Sequence, residues 1–100
     1  MNAEEIIITD NEFLRQFETT INQQLATIEY DQQERKIFLT KVFMPETLKE
    51  EGYMDIFIEA VLEEIKERNT RVMPTSPDVA KFMRKNRRKY KDLLPVGINI

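Results

Sequence analysis

The stretch "KIFLTKVFMPETLKEEGYMDIFIEAVLEEIKER", Lys36–Arg68, changes its hydrophobic period once, and that change decides the fold. Lys36–Met44 is β-branched and aromatic with no helix signal, so it reads as a strand. Pro45 ends that strand, because proline cannot donate to a ladder. From Tyr53 to Arg68 the period becomes helical. Phe57, Val61 and Ile65 recur one turn apart, with Ile58 and Leu62 widening the stripe. Glu64 and Arg68 are spaced to pair on the wet face. Between strand and helix lies "ETLKEEGYM", a charged turn. The positive end of a helix is a natural anion site, but such turns usually carry several glycines that let a ligand reach the backbone. This one has Gly52 alone, beside Glu50, Glu51 and Asp55.

Upstream, "QLATIEY" (Gln24–Tyr30) alternates Leu25, Thr27, Glu29 against Ala26, Ile28, Tyr30. With "DQQERK" as a loop it forms a hairpin with the strand that follows. "EIIIT" (Glu5–Thr9) is a short β-rich run. The segment between them reads two ways. Asp10 can cap a helix carrying Phe13, Leu14, Phe17 and Ile21 on one face, which local periodicity slightly prefers. Alternatively Phe17, Thr19 and Ile21 alternate along a strand.

Downstream, Asn69 stops the long helix and "TRVMP" gives a short strand closed by Pro74. Ser76 as N-cap with Pro77 at the first helical position starts a shorter helix, whose apolar face is Val79, Phe82 and Met83. "YKDLLPVGINI" is apolar enough to pack onto the domain. The order predicts a single α+β domain over residues 1–100, with one long helix crossing a sheet.

Composition narrows the chemistry. The chain of 100 residues has no cysteine and no histidine. Disulfides, thiolate zinc sites, cysteine nucleophiles and imidazole bases are therefore excluded, and any base must be a carboxylate, a water or a backbone-positioned group. Glu18 and Glu29 are the strand carboxylates that such a role would draw on. No apolar run is long enough to span a bilayer, and lack of cysteine fits a reducing cytoplasm. Net charge is −3, but residues 1–80 carry 8 basic and 17 acidic side chains, while residues 81–100 carry 7 basic and 1 acidic. Those seven bases all lie in Lys81–Lys91. They suit a solvated face offsetting the acidic helix Tyr53–Arg68, a grip on a phosphorylated ligand, or a nucleic-acid backbone. The last lacks a stacking platform: Phe82 belongs to the short helix's apolar face, which leaves Tyr90 to interleave the charges.

Four stretches taken together, "FETTINQQLATIEYDQQERKIFLTKVFMP", "PETLKEEGYMDIFIEAVLEE", "RVMPTSPDVAKFMRK" and "KYKDLL", resemble the minimal single-domain branch of the GNAT N-acetyltransferases. The most specific piece is Pro74, Ser76, Pro77 and Val79 running on to Tyr90, Asp92 and Leu93. The resemblance favours the strand reading of Phe17–Ile21. It implies a GNAT-like, mixed and mostly antiparallel sheet with one long helix and one short C-terminal helix, opening where the strand ending at Met44 meets the helix starting near Gly52. It also implies acetyl-CoA as cofactor and an amine acceptor. The backbone of Phe43 and Met44 would pair with pantetheine, and the turn Lys49, Glu50, Glu51, Gly52, Tyr53, Met54 would hold pyrophosphate.

The family's loop reads Arg or Gln, two residues, Gly, one residue, Gly or Ala, and the branch often adds a glycine after the first position. Lys49 keeps the charge and Gly52 the central glycine, whereas Glu50 replaces the added glycine and Met54 the last small residue. Ser76 stands where the branch usually has cysteine, which makes it the candidate catalytic group, although capping alone also explains it. Lys41 replaces a common histidine. The resemblance thus implies acetyl transfer to an amine, by direct attack on a positioned thioester. The alternative is a degenerate GNAT-fold domain that binds a protein or nucleic acid. The loop discriminates the two.

Overall fold

The computed structural model describes residues 6–98. Five strands form one sheet in chain order: β1 (Thr9–Asn11), β2 (Gln16–Ile21), β3 (Gln24–Gln33), β4 (Lys36–Phe43) and β5 (Arg71–Pro74). Neighbours pair antiparallel except β4 and β5, which are parallel. Between those two run α1 (Glu46–Glu50) and α2 (Tyr53–Glu67), and after β5 come α3 (Pro77–Lys85), α4 (Arg87–Tyr90) and a 3₁₀ turn over Lys91–Leu93. The expected α+β fold is thus observed.

Phe17–Ile21 is strand, not helix. Phe17, Thr19 and Ile21 are buried while Glu18 and Thr20 are not, and Phe17 and Thr19 face Ile28 and Ala26 of β3. That period-two pattern could win only once β3 supplied partners, because local spacing allowed both readings. Asp10 accordingly caps no helix and lies in β1. The strand expected over Glu5–Thr9 sits later, at Thr9–Asn11. Ile6–Ile8 precede it without strand structure, and Glu5 lies outside the described residues. The hairpin loop is shorter than "DQQERK": Asp31–Gln33 stay in β3 and only Glu34 and Arg35 turn, Glu34 with φ 56°. β4 stops at Phe43 rather than Met44.

One sheet face carries Phe17, Ile21, Ala26, Ile28, Ile37, Leu39 and Val72, all buried. The α2 stripe Phe57, Ile58, Val61, Leu62 and Ile65 is also fully buried. Each such side chain contributes roughly 1.5–3 kcal/mol by leaving water. The α3 face Val79, Phe82, Met83 and the tail residues Tyr90, Leu93 and Leu94 complete the core, while Val96 is exposed. α1 was not foreseen. Leu48 anchors it, fully buried, and Thr47 Oγ1 bonds to Gln24 at 2.9 Å.

Candidate active site

The sheet opens further upstream than the end of β4. β4 and β5 pair only from Lys36↔Arg71 to Leu39↔Pro74. There the Leu39 carbonyl accepts the Ser76 N–H at 2.8 Å and the Thr75 hydroxyl at 3.0 Å, and β5 turns away into α3. β4 runs on beside β3, so Thr40–Phe43 has a ladder on one edge and no strand on the other. A β-bulge marks the same place. Glu29 pairs with Lys41 and Tyr30 with Leu39, leaving Thr40 as the extra residue, its hydroxyl bonded to the Glu29 carbonyl at 3.2 Å. Bulges bend a strand and re-aim its peptide groups. The result is a wedge between β4 and β5 with unladdered backbone along one side.

That edge leads to the helix termini. Phe43 is 53% exposed and Met44 is buried. Pro45 opens α1, and Gly52 joins α1 to α2 with φ 88°. A Cβ at Gly52 would touch nothing within 4 Å, so this glycine is there for its left-handed backbone and not for lack of space. The turn's own amides are already used: Glu51 N–H donates to the Thr47 carbonyl at 3.2 Å and Gly52 N–H to that of Lys49 at 3.0 Å. The amides left without an intrahelical partner are those of Tyr53, Met54 and Asp55, and no side chain caps them. Of the expected loop Lys49–Met54, its α2 end is what offers donors.

The side chains there fall into two groups. Tyr53 is buried and Met54 packs half-buried against the core. Lys49, Glu50 and Glu51 are exposed, and Lys49 reaches Glu46 at 3.8 Å. Asp55 pairs with Lys85 of α3 at 3.6 Å. One turn on, Lys89 lies 3.7 and 3.8 Å from Glu59 and Glu63, and Tyr90 donates to Glu63 at 2.9 Å. Part of the basic run therefore offsets the acidic helix within the molecule.

Ser76 is 1% exposed and sits at the split itself. Its Oγ accepts the Val79 N–H at 3.5 Å, the expected N-cap of α3. Lys41 is exposed on the sheet face opposite the helices, across from Glu29. On that face a groove beside the bulge is lined by Asp31, Gln33, Phe38, Thr40 and Thr75. Glu18 is held by Asn11 and Gln16 at 3.1 and 2.6 Å, which leaves it a structural acceptor. The split and the bulge were missed in the sequence, because both depend on which residues of distant strands face one another.

Residues 16–93 match the profile of the GCN5-related N-acetyl-transferase family. The chain belongs to that family. No curated protein matches it. In this GNAT domain the described helices include none long and apolar enough to cross a membrane.

Proposed function

We propose that this GNAT domain binds acetyl-CoA and transfers the acetyl group to an amine. The observation that carries the reading is the unladdered edge of β4 beyond Leu39, which leads to the uncapped amides of Tyr53–Asp55. Pantetheine carries amides of its own and would complete the missing ladder along Thr40–Phe43, with the Met44 backbone just beyond the end of β4. Pyrophosphate would lie at the α2 end of the Gly52 turn, where backbone donors and the helix dipole favour an anion.

The acceptor would come from the groove on the opposite sheet face. Its nitrogen lone pair attacks the thioester carbonyl carbon; the C–N bond forms as the C–S bond breaks. The amine loses a proton to water and the departing CoA sulfur gains one. Backbone N–H groups at the bulge polarise the carbonyl, so positioning supplies most of the rate.

Ser76 Oγ accepts the Val79 N–H; as a proton donor it would give its hydroxyl proton to the departing sulfur and take one back from water. Ser76→Ala separates the two roles. A proton donor would lose kcat at constant KM, whereas a cap alone would lose about 1 kcal/mol of stability.

The test is release of free thiol from acetyl-CoA in the presence of small alkyl amines, polyamines and lysine peptides. Amine-dependent thiol release supports the reading. CoA binding with no transfer to any of these amines would contradict the transferase half of it.

A further inference from the structure

We propose that Lys85 is a ligand of the cofactor's pyrophosphate, supplied by α3 to a turn whose own side chains carry more acid than base. This rests on the cofactor reading above. Glu50 and Glu51 are exposed in the turn and make no ion pair among the described residues. Lys49, its one cation, faces Glu46 of the same short helix. A dianion arriving there meets repulsion from the turn itself.

Lys85 changes that balance. Its ammonium lies 3.6 Å from the carboxylate of Asp55, the third residue of α2, in the same first turn that carries the uncapped amides of Tyr53–Asp55. Its partner thus stands in the first turn of α2. Lys89 is held further along, between Glu59 and Glu63. The two side chains of the Lys85–Asp55 pair are 57% and 58% exposed, so the pair is weak and easily exchanged for a stronger one. An ammonium on a phosphate is charge-assisted and meets two negative charges in place of one. Lys81 and Arg84 are exposed one turn and one residue before Lys85, with no ion pair among the described residues, and they extend the positive field outward.

The two partners of this one ion pair should therefore act with opposite sign. In the free protein Asp55 holds Lys85 and competes with the ligand; in the complex Lys85 turns to the phosphate and Asp55 is only a repulsive neighbour.

The experiment is calorimetric titration of the full chain, wild type and variants, with CoA and with dephospho-CoA. Lys85→Ala should weaken both ligands by roughly 5–10-fold. Lys85→Arg should retain most of the affinity. Asp55→Asn should tighten both ligands by roughly 2–5-fold, with the gain shrinking as salt rises. Urea midpoints should stay near the wild-type value, because the pair is exposed. An unchanged affinity in Lys85→Ala overturns the proposal, and so does equal weakening by both variants, which marks a structural pair. Loss for CoA alone would move the lysine to the 3′-phosphate and overturn the pyrophosphate assignment. Absence of CoA binding in wild type and variants alike, at millimolar ligand, would remove the cofactor reading, and this proposal with it.

Discussion

At its C-terminal end α2 hands the chain to Arg68, whose guanidinium reaches Asp10 at 2.7 Å and Glu64 at 3.1 Å and lies over the Phe17 ring. At its N-terminal end the same helix presents uncapped amides and one ion pair of 3.6 Å. The Asp10 side chain is only 15% exposed and also accepts the Tyr30 hydroxyl at 2.6 Å. That end ties β1, β3 and α2 together with short, partly desolvated bonds. Polar groups at the other end are exposed and loosely held. The fold concentrates its polar contacts at the C-terminal end of α2. One terminus of α2 is closed by the protein, and the other is left with donors that a ligand can take.

Substitutions at the two ends should break differently. The largest effect is expected at Leu48, the buried anchor of α1 beneath the turn. Leu48→Ala should cost roughly 2–5 kcal/mol in urea unfolding and loosen the Gly52 turn with it. Arg68→Ala comes next, at roughly 1–3 kcal/mol, because it leaves the Asp10 carboxylate partly buried beside Tyr30 alone. The matching change at the open end, Lys85→Ala, should move stability by less than about 0.5 kcal/mol. Equal losses at the two ends would erase the contrast. Gly52→Ala should cost about 1–2 kcal/mol through the left-handed backbone alone, since the added Cβ has room.

A further effect lies in alkali. Burial first, then the hydrogen bond and charge of Asp10, push the Tyr30 phenol up from 10.0 to about 12. Burial, then Glu63, raises Tyr90 as well. A folded-state pKa above the unfolded one gives stability that is complete below pH 10 and is lost as pH rises through the folded value. Urea midpoints should therefore hold up to about pH 10 and fall above it. Tyr30→Phe should flatten that fall, and an unaltered profile in the variant would show that Tyr30 contributes none of it.

Much of this was legible in the sequence where signals are local. Ser76–Pro77 marked the start of α3, the Phe57–Ile65 stripe marked α2, and the Glu64–Arg68 pair followed from its spacing. What stayed hidden was non-local. Phe13–Ile21 carried helical spacing, and only pairing with Ile28 and Ala26 makes Phe17–Ile21 a strand. α1 is too short to show a period, with Leu48 as its single buried residue. The bulge at Thr40 and the split at Leu39 exist because β3 and β5 meet β4 in particular registers, which no residue type announces. Met54 stands where the family's loop has a small residue, and its half-buried packing against the core was not legible from that position.

The most direct measurement is amide-resolved NMR of the ¹⁵N-labelled domain during titration with CoA. If β4 and α2 form the cofactor site, the largest shifts fall on Thr40–Phe43 and on Tyr53–Asp55, with the Asp10–Arg68 end of α2 unmoved. Shifts centred on the cleft among Lys66, Arg71, Lys89 and Asp92, or no shifts at millimolar CoA, would contradict it.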